Sequence, residues 1–254
     1  MFLGQFIGPV AVGAVGLLFT LVIMNQGIFA LMGSGSGAVL SVALGQQDND
    51  TADRLLGNLI PVTFFGSAIF AVLLEIFALP VVKFLGGSGE LLVMAVDYLR
   101  ILALGMPFIA TGAAMNSLLR GEGKMKVAML IASGSCFLNI ILDPILIAWA
   151  GWGIQGAAWA TVIAQLAYFL CQTCFHWRGN TRLRLILNRI RVSGALTTRV
   201  IKAGTPAMLM QIMSVIQMGV LYKVLAQAGG ANHLAFWSFL LSSALPMACS
   251  RWWA

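Results

Sequence analysis

The stretch LNIILDPILI, Leu138–Ile147, places an amide, a carboxylate and a proline inside a run that is otherwise aliphatic. An ionised aspartate at the middle of a bilayer costs roughly 2.5–3.5 kcal/mol on insertion scales. Read outward, the apolar run extends from Val127 to Ala150, which is long enough to cross a hydrocarbon core needing about 20 residues. Asp143 is therefore an acid within a membrane span, and its presence needs a chemical reason.

The rest of the chain agrees with a membrane reading. Of 254 residues, 60% are hydrophobic and 9% charged, with a mean hydropathy of +0.94. A soluble domain carries about 25% charged residues. The first charged side chain is Asp48, so the N-terminal apolar block lacks the basic start of a signal peptide, is too long for one, and is expected to persist in the mature chain. The net charge of +7 comes from basic residues clustered in loops, a topology signal that leaves no nucleic-acid partner to propose. Cys136, Cys171, Cys174 and Cys249 lie in or beside apolar segments and do not form a disulfide framework.

Apolar blocks run near Pro9–Leu44, Leu55–Val82, Leu91–Leu119, Val127–Ala150, Gly156–Cys174 and Pro206–Leu225, with a shorter seventh at His233–Ala248. The first is about 50 Å long as a helix and must bend, tilt or project. Gly27, Gly33, Gly35 and Gly37 offer either a bend or close packing of another helix. Pro61, Pro80 and Pro107 are further candidate kinks. Arg54, then Arg120, Lys124 and Lys126, then the arginines from Arg178 to Arg199 fall in alternate loops, which the positive-inside rule places in the cytoplasm. The arginine-rich segment Trp177–Gly194 interleaves Leu and Ile as an amphipathic connector on an anionic leaflet would.

Few charges lie within the spans. Asp97 and Arg100, three residues apart, are placed to pair with each other beside Tyr98, and Glu75 lies near the outer end of its helix. Asp143 has no base within a helical turn. Asn139, one turn earlier, is placed to donate to its carboxylate, and Pro144 leaves the Ile140 carbonyl without its usual donor. Such an oxygen-rich site suits Na⁺ when the acid is ionised or a proton when it is not; the alternative is a buried aspartate tied to neighbouring helices. Cys171, Cys174 and His176 make a weak metal pattern, and His233 suits an interface. No G-x-S-x-G, H-E-x-x-H or phosphate-cradling loop is present, so an enzyme and a cofactor have little to build on.

Three further stretches carry a family resemblance. LLRGEGKMKVAMLIASGSCFLNIILDPILI followed by GIQGAAWATVIAQ resembles the fifth and sixth helices of the multidrug and toxic compound extrusion (MATE) antiporters. GSGSGAVLSVALGQQDNDTAD resembles the end of their second helix, and VDYLRILALGMPF their fourth. The resemblance runs from about Pro9 to Pro246. It implies an all-α integral membrane protein with about seven transmembrane helices: a lobe over residues 1–177 matching family helices 2–6, a basic cytoplasmic linker at 178–202, and part of a second lobe at 203–254. It also implies export of organic cations in exchange for H⁺ or Na⁺ by two lobes rocking in a bacterial inner membrane. In one branch, an Asn and an Asp on the fifth helix, a Thr on the sixth and an Asp on the first form the cation site; Asn139, Asp143 and Thr161 match the first three.

The departures from the pattern are specific. The family's first helix and its acid have no counterpart, Ser214 stands where another branch has a glutamate, and ACSRWWA after Pro246 stops matching. The chain is thus expected to be a truncated member, and the alternative to a working exporter is an inactive fragment or one completed by a second polypeptide. Met210, Gln211, Met213 and Gln217 are the expected substrate-lining residues. A lipid-linked sugar flippase of the same superfamily is the remaining reading, to be told apart by cationic side chains in its cavity.

Overall fold

The computed structural model describes residues 9–84, 89–149, 151–178 and 193–217, with side chains from Met24 onward. Every regular element among them is helical. In chain order these are α1 (Pro9–Gly45), α2 (Asn49–Ile76), α3 (Ala78–Phe84), α4 (Gly89–Gly121), α5 (Met125–Pro144), α6 (Gly153–Trp177) and α7 (194–217). A π-helical turn, Ile145–Trp149, continues α5. Five segments are long and apolar enough to cross a membrane: Met24–Gly45, Asp50–Ile76, Leu92–Gly121, Met125–Ile147 and Gln155–Trp177. The arginine-rich connector over 179–192 and the segment His233–Ala248 lie outside the described residues.

Several boundaries differ from the sequence reading. The span expected at Leu55–Val82 breaks at Phe77, because Pro80 cannot donate to the carbonyl four residues back and so sits in the first turn of the separate helix α3. Pro61 and Pro107 stay inside their helices. The last described helix starts at 194, well before Pro206 and within the segment expected as linker.

α1 is one unbroken helix of 37 residues, so its glycines serve packing. Gly33 faces α4, where an added Cβ would lie 3.2 Å from the Ala114 Cα. Gly35, half a turn away, faces α7, where an added Cβ would strike the Val200 carbonyl; reciprocally, one on Gly204 would strike the Leu31 carbonyl. The two helices cross with backbone nearly against backbone, the arrangement small residues permit in lipid. Below the crossing, the Asn58 side chain of α2 donates to Thr197 Oγ1 at 3.1 Å and accepts from the Ser193 N–H at 2.8 Å, so it caps the start of α7.

α4 is the central helix, packed against α1, α2 and α6. Its two ends enter two apolar clusters. Leu99, Leu102 and Met106 join Leu74, Val82 and Ile147 at one end. Met115 and Leu118 join Leu40, Leu55, Leu59 and Val200 at the other. Between these clusters the helices diverge around polar side chains. α5 lies shallowly on the bundle, tied by Asn116 Nδ2 to the Ala128 carbonyl at 2.9 Å and by Ser135 Oγ to the Ala164 carbonyl at 2.9 Å. Its outer face exposes Leu130, Phe137 and Ile141, a surface suited to lipid.

Candidate functional site

The divergence of α1, α4, α5 and α6 encloses a cavity of about 500 Å³. Its walls are mainly apolar, with Phe29, Leu102, Met106 and Ile109 among them. Polar groups enter from each helix: Asn25 from α1, Tyr98 from α4, Asn139 from α5, and Thr161 and Gln165 from α6. Asn25 is fixed by accepting a 2.9 Å hydrogen bond from the buried Ser67 hydroxyl of α2. Gln165 reaches the cavity past Gly105, where a Cβ would collide with its amide oxygen. Each polar side chain lies on the inward face of its helix, because the opposite face meets lipid.

Of the residues expected at a cation site, Asn139 and Thr161 line this cavity. Asp143 does not; it is half-buried one turn further along α5, within electrostatic reach of the Tyr98 hydroxyl. The expected bond between Asn139 and Asp143 is not made: the Asn139 amide nitrogen is buried without a hydrogen-bond partner. Both residues lie within the α-helical part of α5, and the helix gives way to a π-turn only after Pro144. Thr161 donates to the Ala157 carbonyl at 2.9 Å, leaving its oxygen lone pairs facing Tyr98.

The other expected pairings fare differently. Asp97 and Arg100 form no ion pair, and Arg100 is exposed, as is Glu75. The described ion pairs are Arg54–Asp50 at 3.0 Å and Lys124–Glu122 at 3.2 Å, both outside the cavity. Cys171 and Cys174 are exposed while His176 is fully buried, and no group of three metal-ligating side chains forms among the described residues. Met210 and Met213 are exposed and, like Gln211 and Gln217, are not among the cavity's walls. Gln211 instead donates to the Gln26 side chain at 3.2 Å, joining α7 to α1. Ser214 donates to the Met210 carbonyl at 3.0 Å, so no carboxylate appears at that point of α7.

The sequence reading missed Gln165 and gave Tyr98 no role beyond its neighbours. A signal for Gln165 was present: Thr161, Gln165 and Tyr168 recur at helical spacing along one face of α6, matched by Ser135 and Asn139 on α5.

The cavity-bearing bundle has known relatives. Residues 1–145, more than half of the chain, match the MatE family model. The chain is 28% identical over 220 residues to the probable multidrug resistance protein YoeA of Bacillus subtilis, covering 84% of this chain and 48% of that protein. It is 26% identical over 206 residues to the multidrug export protein MepA of Staphylococcus aureus, covering 80% and 45%. It also superposes on the inward-facing conformation of a multidrug resistance MATE family transporter of the MOP superfamily with a TM-score of 0.86 and 27% identity, over 93% of this chain and 54% of that one. The chain thus spans about half the length of the relatives it matches. With its family model, its helical bundle and its membrane spans in agreement, the chain belongs to the MatE family of integral membrane proteins.

Proposed function

We propose that this chain supplies one lobe, and the first helix of a second, to a secondary active transporter that exports drug-like organic cations in exchange for H⁺ or Na⁺. The observation that carries the reading is Asp143, an intramembrane acid within electrostatic reach of Tyr98 and one turn along α5 from Asn139, whose unpartnered amide lines, with Tyr98 and Thr161, a cavity of about 500 Å³. Binding a small cation or proton there changes the charge next to the cavity, which is how one site biases an equilibrium between two conformations. The multidrug names of the relatives supply the substrate class. The basic loops around Arg120–Lys126 and beyond Trp177 lie on the cytoplasmic side of a bacterial inner membrane. A lipid-linked sugar flippase fits less well, since among the described residues no lysine or arginine lines the cavity.

Reconstituted vesicles with an imposed H⁺ or Na⁺ gradient test this. Asp143→Asn is expected to abolish gradient-driven efflux of a fluorescent cationic dye, with the protein still inserted and folded. Equal coupled efflux by both proteins removes Asp143 from the mechanism. If neither moves dye alone but a co-expressed partner polypeptide restores efflux to the unmodified chain, the chain works only when complemented.

A further inference from the structure

The polar face of α6 does not stop at the cavity. Thr161, Gln165, Tyr168, Gln172 and His176 recur at spacings of four, three, four and four, so they form one line along the helix. From first to last that line runs about 22 Å, most of a hydrocarbon core about 30 Å thick. Its far half is interior, with Tyr168 7% and Gln172 and His176 0% exposed, while Thr161 and Gln165 are partly buried where they line the cavity. Gln172 sits between the Tyr168 hydroxyl and His176.

Four polar atoms on this line lack a hydrogen-bond partner: Gln165 Oε1, both amide atoms of Gln172, and His176 Nε2. An unpaired buried polar atom costs about 1–3 kcal/mol. Leucine or methionine at these positions would fill the same space without that cost, so packing does not account for the residues. Bridging waters, each making about three hydrogen bonds, would satisfy them. His176 is oriented for such a role. Its Nδ1–H donates to the Gln172 carbonyl at 2.8 Å, which leaves Nε2 as an open acceptor.

The His176 end meets the basic loop. The charged groups facing the imidazole are Glu122 and Lys124, themselves paired at 3.2 Å. Glu122 is 2% exposed along its side chain and Lys124 32%, so the pair leads from the buried histidine to water. Arg120 is the charge facing Tyr168. At the other end, Thr161 meets Tyr98, which faces Asp143.

We propose that this face of α6 is a proton path joining the Asp143 cavity to the basic end of the bundle, with His176 as its mouth. The inference rests on the reading of Asp143 as the coupling acid and names its ion as H⁺. In drug export driven by inward H⁺ exchange, the proton leaves toward the basic, cytoplasmic end. Neutral Asp143 releases its proton and is left a carboxylate; a water in the cavity passes a proton to the Tyr168 hydroxyl, which releases its own to a water held by the Gln172 amide. That water protonates His176 Nε2, and the imidazolium returns the proton to water reached past the Glu122–Lys124 pair. Each relay group accepts one proton and gives up one, and with the gradient reversed the same steps run backward and leave Asp143 neutral.

Time-resolved infrared spectroscopy of the full chain in lipid vesicles, after light-triggered proton release, tests the path. In the unmodified protein a protonated-carboxyl C=O stretch should rise, and Asp143→Asn should remove it. Tyr168→Phe keeps the ring and removes one oxygen from the line; it is expected to slow the rise about 10²-fold while leaving its final amplitude unchanged. His176→Leu and Gln172→Met are expected to do the same. A rise at the unmodified rate in Tyr168→Phe and Gln172→Met, with the Asp143 band present, overturns the path and leaves the coupling acid standing. Absence of any Asp143 band in the unmodified protein overturns both.

Discussion

Gly35 is the point where replacing one hydrogen with a methyl group should do most harm to the bundle. An added Cβ there would strike the Val200 carbonyl and lie 3.0 Å from the Gly204 nitrogen, both backbone atoms of α7 that no rotamer change can move. α7 must shift as a body, or α1 must. Overpacking of this kind costs about 1–3 kcal/mol, and relief by separating the helices also threatens the 3.2 Å Gln211–Gln26 bond. Gly66, in the exposed face of α2, is the internal control, with nothing within 4 Å of an added Cβ. There the only change is helix propensity, which favours alanine by about 0.8–1.0 kcal/mol. The same propensity gain acts at Gly35, so the two variants should differ by the overpacking cost alone, about 1–3 kcal/mol, with Gly66→Ala the more stable. Thermal unfolding of the purified protein in detergent, followed by loss of monodisperse protein, reads that gap. If Gly35→Ala is stabilised as much as Gly66→Ala, the close crossing of α1 and α7 is wrong.

The capping role of Asn58 gives a second test: Asn58→Ala removes its bonds to Thr197 and the Ser193 N–H, and should cost about 1–2 kcal/mol in the same melt, with Asn58→Asp recovering part of it through the retained acceptor. Asp48 gives a pH test outside the membrane. It caps α2 by accepting from Thr51 Oγ1 at 2.6 Å and the Thr51 N–H at 3.1 Å, and these bonds hold its carboxyl below the usual carboxylate range. Because the folded group titrates lower than the unfolded one at about 3.9, its contribution is present above that pH and disappears as pH falls through the lowered value. The start of α2 should accordingly lose protection from amide exchange as the solution is acidified below about pH 4, and Asp48→Ala should show that loss already at neutral pH.

The sequence foretold the apolar spans well because lipid imposes a requirement on every residue of a crossing helix. Val127–Ala150 became α5 and its π-turn, and Gly156–Cys174 lies within α6. It foretold the site only in part, since helical spacing says which residues share a face and not which rotamer each adopts. Asn139 and Asp143 share a face of α5, yet only Asn139 is among the cavity's walls, because α5 lies shallowly on the bundle and the next turn along it packs elsewhere. Where α7 sits is decided by tertiary packing: the close crossing at Gly35 and Gly204 holds it against α1, with Gln211 bonded to Gln26 and Met210 and Met213 exposed.

The placement of charge separates residues that reach water from residues that cannot. Arg100 and Glu75 are exposed, and long side chains on the outside of a bundle extend toward the interface at modest cost. Asp143 has a short side chain, lies about one turn inside the Ile147 end of its span, is half-buried, and receives no ion pair among the described residues. Partial burial favours the neutral form of such a group, and a cation beside it favours the charged form. On the proposal made above, the polar line on α6 is the route by which a proton exchanges between that acid and the basic end of the bundle. The acid, the histidine and the unpartnered amides between them would then serve one electrostatic requirement, which a line of leucines in the same helix could not meet.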